Sequence, residues 1–186
     1  MVNFALVTGN RGKLEESRRI VGEDLPGVAL DLPEIQHRDP HVILAAKAEA
    51  AWRELGRPLV VEDTSLELAA LNGFPGPLVK WMLEAVGAEG IARVALAAGE
   101  PRATARCLLL YRDAERTVVG EGVAPGTLVL PARGDGGFGW DPVFLPEGET
   151  QTYAELKDAV KDHIGHRGRA WQALLAQLRG VISATS

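Results

Sequence analysis

Two features of this 186-residue chain could act on a phosphorylated substrate: a glycine turn ending in lysine, and carboxylates that follow short apolar runs. The turn is Thr8-Gly9-Asn10-Arg11-Gly12-Lys13, between the apolar residues 2–7 and a helix predicted over 14–21. A strand, a glycine turn and a helix start together offer free backbone N–H groups, which favour an anion, and the lysine adds a full charge. The pattern is not a P-loop. Its glycines are three apart and Leu14 follows Lys13, so no hydroxyl reaches a metal from here. Alone, such a turn serves equally as plain connectivity. The carboxylates are Glu34 and the pair Glu62-Asp63, each placed just after a predicted strand, where sites in open α/β sheets gather. Magnesium takes oxygen ligands and is commonly shared between one or two carboxylates and substrate phosphates, so this sparse set suffices. Solvated turns and helix caps use the same residues. Asp63 is the less ordinary of them, because it follows a wholly apolar strand at 58–61 and has polar neighbours that could hold a water in line with a phosphorus atom.

Cations recur nearby: Lys47 on a helix rich in alanine, Lys80 just after Gly73-Phe74-Pro75-Gly76-Pro77, and Lys161 before His163. A nucleoside triphosphate needs several convergent cations to hold it and to spread charge in the transition state. Singly, each lysine is also an ordinary surface charge. Phe138-Gly139-Trp140-Asp141-Pro142 sets two aromatics and a carboxylate beside glycine, which suits stacking on a base with close backbone approach. Core packing of both rings is the alternative. His166-Arg167, at the start of the last predicted helix, supplies donors for a carbonyl oxygen or a phosphate, or forms a surface pair. His37, His41 and His163 have no zinc-ligand spacing, and no Gly-x-Ser-x-Gly elbow offers a serine nucleophile.

The elements that must position these residues alternate between strand and helix. Short apolar runs at 2–7, 27–32, 58–61 and 143–145 read as strands, and 103–111 with 117–123 as an antiparallel hairpin that makes the sheet mixed. Helices are predicted over 14–21, 41–55, 78–86, 88–98 and 167–178. This is an α/β class, in one domain over 1–180 with a frayed tail at 181–186. A net charge of −5 argues against a nucleic-acid polymer as partner. Cys107 is the only cysteine, so no internal disulfide forms, and the chain suits a reducing compartment. No apolar stretch approaches the ~20 residues of a membrane span, and no secretory leader is legible, so a cytoplasmic protein is expected.

In order and spacing, these blocks resemble the inosine triphosphate pyrophosphatase family, the non-standard purine NTP pyrophosphatases. The resemblance runs through Thr8-Gly9-Asn10-Arg11-Gly12-Lys13, Glu34, Val61-Glu62-Asp63-Thr64-Ser65-Leu66 and Gly73-Phe74-Pro75-Gly76-Pro77-Leu78-Val79-Lys80-Trp81. It continues through Phe138-Gly139-Trp140-Asp141-Pro142-Val143-Phe144, Thr152-Tyr153-Ala154-Glu155-Leu156 and Lys161 to Ala170. It implies an elongated mixed β-sheet flanked by helices, in two lobes with a central nucleotide-binding cleft, assembled as a homodimer. It implies Mg2+ as cofactor, with Glu34 and Asp63 serving the metal and Asp63 also accepting a proton. Thr8, Gly9, Asn10, Arg11, Gly12 and Lys13 would bind the triphosphate, and Lys47, Thr64 and Lys80 would line the substrate. Phe138, Gly139, Trp140 and Asp141 would surround the base, and Lys161, His166 and Arg167 would complete the pocket. The family usually has Ser-His-Arg and Lys-Asn where this chain has Gly165-His166-Arg167 and Lys161-Asp162. The implied reaction cuts between the α- and β-phosphates of inosine-, deoxyinosine- and xanthosine-type triphosphates. Enzymes with another base preference, and a nucleotide-binding module without hydrolysis, are the competing readings.

Overall fold

The structure is a computed structural model that describes residues 3–184, with side chains through Arg179. Its first half is built from two parallel crossovers. Strand β1 (Ala5–Val7) leads through helix α1 (Arg11–Val21) to β2 (Gly27–Val28), and helix α2 (Pro40–Leu55) then returns to β3 (Leu59–Leu68). Helix α1 begins three residues before the expected 14, because the Asn10 side chain caps it by accepting from the Lys13 N–H at 3.0 Å. The glycine turn is thus the first turn of the helix. Asp39 caps α2 in the same way ahead of Pro40, and Gly56 ends it at φ 56°.

β1 lies between β2 and β3, parallel to both. The two crossovers run in opposite directions over the sheet, so right-handed connections set α1 and α2 on opposite faces. Leu14, Ile20 and Val21 of α1 accordingly pack with Leu6, Val60, Cys107 and Leu109 on one face. Leu44, Ala48 and Ala51 of α2 pack with Val7, Leu59, Val61 and Leu108 on the other.

β3 runs past the point where the sequence places its end. Glu62, Asp63 and Thr64, expected to close the strand, lie in its middle, and β5 (Arg102–Arg112) pairs it antiparallel from Leu59 to Leu68. On its other edge β1 reaches only Val61, and β4 (Pro75–Gly76) meets only Leu66 and Glu67. Residues 62–65 therefore have a described strand on one side only. β6 (Thr117–Leu128) and β7 (Phe144–Pro146) complete an open, mixed sheet in the order β2-β1-β3-β5-β6-β7, with β4 attached to β3.

The far half of the sheet has its own core, with Leu66, Leu68, Ala105 and Phe144 packed against α3 (Val79–Ala97). α3 breaks at Gly87, φ 70° and ψ 174°, which divides it as the expected segments 78–86 and 88–98 require. The separate cores give two lobes joined by β3, β5 and β6. Helix α4 (Asp158–Ile164) leads into α5 (His166–Ala184), which passes the expected stop at Leu178. Val2 and residues 185–186 of the expected frayed tail lie outside the described residues. No described helix is long and apolar enough to cross a membrane.

α5 sits directly on the backbone of β6. A Cβ at Gly122 would stand 2.0 Å from the His166 carbonyl oxygen and 2.3 Å from the Ala170 nitrogen. Both contacts are to backbone, which cannot swing away. Gly122→Ala should therefore cost about 1–3 kcal/mol by forcing the helix off the sheet. Urea unfolding tests this, and an unchanged midpoint would mean that the helix is not seated as described.

Candidate active site

The interval in the sheet beside residues 62–65 opens into a cavity of about 940 Å³ between the lobes. Thr8, Gly9, Asn10 and Lys13 form one wall, Glu62 and Thr64 the floor, and Lys80, Phe138, Gly139, Trp140 and Asp141 the opposite side with His166 and Arg167. A second chamber of about 100 Å³ shares Lys13, Glu34, Lys47, Thr64 and Lys80 with it and adds Asp63. Neighbouring side chains of a strand point to opposite faces. Glu62 and Thr64 thus turn towards α5, and Asp63 turns towards α2.

On the α5 side a chain of alternating charges is buried. Arg167 donates to Glu62 through Nε at 3.0 Å and Nη2 at 2.8 Å, while Lys13 Nζ lies 3.2 Å from Glu62 Oε1. Thr64 Oγ1 donates to the same carboxylate at 2.7 Å. Arg167 Nη1 approaches Glu16 Oε2 at 2.8 Å, as an ion pair without the alignment of a hydrogen bond. Lys161 then bridges Glu16 at 3.1 Å and Asp141 at 2.7 Å. Burial alone would raise the Glu62 pKa, but Arg167, Lys13 and the hydrogen bonds outweigh it and hold this carboxyl well below its ordinary range. Glu16 behaves likewise, with burial overcome by Arg167 and Lys161, and falls to about 2. For Asp141 burial prevails over Lys161 and the net shift is upward.

The Phe138 ring covers this chain, with Lys161 Nζ 5.1 Å and Arg167 Cζ 5.5 Å from its centroid. Gly12 permits that approach, since a Cβ there would lie 2.7 Å from Phe138 Cδ1. Trp140 is buried and packs on Phe144, Tyr153 and His166. His166 Nδ1 is buried with no hydrogen-bond partner. Burial, and then Arg167, push its pKa down to about 3, so the ring is neutral.

Conditions on the α2 side are opposite. Asp63 Oδ2 is buried without a partner, and burial lifts its pKa to about 6 against the pull of Lys13 and Lys47. Lys47 Nζ donates to the Glu62 carbonyl at 3.2 Å and lies 3.9 Å from Glu34 Oε1. Glu34, partly exposed, pairs with Lys80 at 3.1 Å. Burial raises its pKa less than Lys80 and Lys47 lower it. Among the described residues no group of three His, Cys, Asp or Glu could hold a metal unaided.

Some sequence-chosen residues stand elsewhere. Arg11 is exposed, pairs with Glu15 at 2.7 Å and lines neither chamber. Gly12 and Lys161 lie behind the cavity wall. Thr8 and Asn10 line it while shaping the turn, Thr8 Oγ1 accepting from the Asn10 N–H at 3.1 Å. Asp141 likewise orders its own loop by accepting from the Phe138 N–H at 2.7 Å. Sequence reasoning missed Glu16, although its place three residues after Lys13 on a helix puts both on one face.

A family model described as the Ham1 family matches residues 4–177. The chain belongs to the Ham1 family. It is 40% identical over 178 residues to an inosine triphosphate pyrophosphatase of Yarrowia lipolytica, covering 93% of this chain and 94% of that one. The structure of a HAM1 protein from Coxiella burnetii superimposes with a TM-score of 0.77 at 26% identity, over 99% of this chain and 100% of that one. A Mycobacterium abscessus structure described as a nucleoside-triphosphatase and dITP/XTP pyrophosphatase gives a TM-score of 0.67 at 29% identity, over 94% and 99%.

The buried charges dictate how this family member responds to acid. Glu16 titrates near 2 rather than 4.5, so its stabilisation is present above pH 4.5 and is lost as the pH falls towards 2. His166, at about 3 instead of 6.5, also loses stabilisation on acidification, between 6.5 and 3. Asp63 has the opposite sign, because its raised pKa of about 6 against 3.8 favours the folded state at lower pH, offsetting His166 in that window. The urea midpoint should hardly change from pH 6 to 4.5 and then drop steeply, and less steeply in Glu16→Gln. A level profile down to pH 3 would contradict the charge assignments.

Proposed function

We propose that this chain hydrolyses inosine-, deoxyinosine- and xanthosine-type nucleoside triphosphates to the monophosphate and pyrophosphate, removing damaged purines from the nucleotide pool. One observation carries the reading. Lys13, at the anion-favouring turn, and Asp63, with its unpartnered oxygen, line a single chamber that adjoins a pocket of aromatics and donors. The names of the Yarrowia lipolytica and Mycobacterium abscessus relatives support the same reaction. The reading also makes the protein a cytoplasmic homodimer acting on free nucleotides, the last point supported by its net charge of −5.

The triphosphate takes the turn at Thr8 to Lys13, and Lys13, Lys47 and Lys80 balance its charge. Asp63 accepts a proton from the water that attacks the α-phosphorus. The new bond joins water oxygen to that phosphorus, and the bond to the bridging oxygen breaks as pyrophosphate leaves. Burial raises the Asp63 pKa and so keeps this carboxylate more basic than an exposed one, which suits the task. Glu34 and Asp63 fit magnesium: they are oxygen donors lining one small chamber, one has a buried oxygen lacking a partner, and the remaining ligands are left to phosphate and water. When bound there, the ion neutralises phosphate charge.

Base choice follows from which donors are still free. Arg167 gives Nε and Nη2 to Glu62 and pairs with Glu16 through Nη1, which leaves the neutral His166 ring beside the cavity. Hypoxanthine and xanthine present a carbonyl at the 6-position that accepts from such a donor. Adenine presents an amino group instead and leaves it unpaired, at about 1–3 kcal/mol.

Incubation with ITP and magnesium should release pyrophosphate and no orthophosphate. Asp63→Asn should lower turnover about a hundred- to ten-thousand-fold. The same variant should melt higher at pH 8, because the folded state no longer carries a buried carboxylate there. Turnover close to normal in that variant would exclude the assigned role. His166→Phe, which keeps a ring beside Trp140, should reduce the preference for ITP over ATP about tenfold; an unchanged ratio would assign selectivity elsewhere.

A further inference from the structure

Glu34 stands on a segment that its own backbone does not hold in place. Among the described residues, the backbone of 31–38 makes no backbone–backbone hydrogen bond, so its position depends on side chains. Two of them reach across to the start of α3. Lys80 pairs with Glu34 at 3.1 Å, and the Trp81 Nε1–H donates to Gln36 Oε1 at 2.6 Å. The other end of the Gln36 amide, Nε2, donates to the carbonyl oxygen of Glu34 at 3.3 Å. An indole N–H can only donate and a carbonyl can only accept, so both ends of the amide have chemically matched partners.

The two contacts differ in what a substrate does to them. Lys80 and Glu34 are both solvent-accessible, and such an ion pair holds little by itself. On the functional reading above it also dissolves, because Lys80 turns to phosphate and Glu34 to the cation. The link between Trp81 and Gln36 is neutral and involves neither group. We infer that Gln36, anchored by Trp81, is a positioning residue that keeps Glu34 at the cation site once substrate has separated Glu34 from Lys80.

The inference rests on Glu34 serving the cation, and its test separates the two claims. The measurement is the magnesium concentration for half-maximal binding of α,β-methylene-ITP, a non-hydrolysable analogue, followed calorimetrically, with ITP turnover in parallel. Gln36→Ala and Trp81→Phe should each raise that concentration about fivefold, the factor of one net hydrogen bond. The double variant should be no worse than either single one, since both remove one link. Turnover in Gln36→Ala should recover with excess magnesium, which loss of fold would not allow. A wild-type magnesium requirement in Gln36→Ala beside a raised one in Glu34→Gln overturns the positioning role alone. A wild-type requirement in Glu34→Gln overturns the cation reading, and the positioning role with it.

Discussion

A charge removed from water must be met by another, and the buried pair of Glu62 and Arg167 is where this protein satisfies that demand. Glu62 lies in the middle of β3, where a carboxylate would ordinarily be excluded. It is tolerated because α5 delivers a guanidinium to both its oxygens and α1 delivers Lys13. Removing any one of the three would leave an uncompensated charge inside the molecule. The pair therefore fixes the relation of β3, α1 and α5, the elements that frame the cavity. Bare glycine on β6 lets α5 descend far enough for the arginine to arrive.

The pleat of the strand then separates two acids that adjoin in sequence. Glu62, facing α5, is held ionised by Arg167 and Lys13, which weakens it as a base. Asp63, facing α2, has lysines near it but no hydrogen bond to its buried oxygen, and retains basicity. One residue of register separates an acid held by an arginine from one whose buried oxygen has no partner. The open edge of β3 completes the effect, since a strand paired there would close the chamber beside Asp63.

Part of the cavity lining was legible because it depends on residue type near a turn. The glycine loop, Glu34, Asp63 and the lysines are short-range signals, and Lys13, Lys47 and Lys80 do meet Glu34 and Asp63 in one chamber. The alternation of strand and helix likewise revealed the α/β class and the mixed sheet. The end of β3 was misjudged for a definite reason. Local polarity marks Glu62-Asp63-Thr64 as a stop, whereas the partners that permit them to continue as strand, β5 and Arg167, come from more than forty residues away along the chain. Arg11 shows what the turn signal leaves out: helical geometry starting at this residue sets it beside Glu15, a contact that residue type alone does not give. Glu16 was invisible as a buried acid because nothing near it in sequence announces Lys161 and Arg167.

The outermost strands of the sheet bear on a different matter. β2 has two residues, and on the opposite margin β7 covers only 126–128 of β6, where Gln177 and Arg169 of α5 donate to the Val119 and Val123 carbonyl oxygens. A neighbouring molecule in a crowded solution finds too short a template at one margin and carbonyls already taken by α5 at the other. The same economy that leaves the sheet open for ligands in its interior thus guards its rims against fibrous self-association.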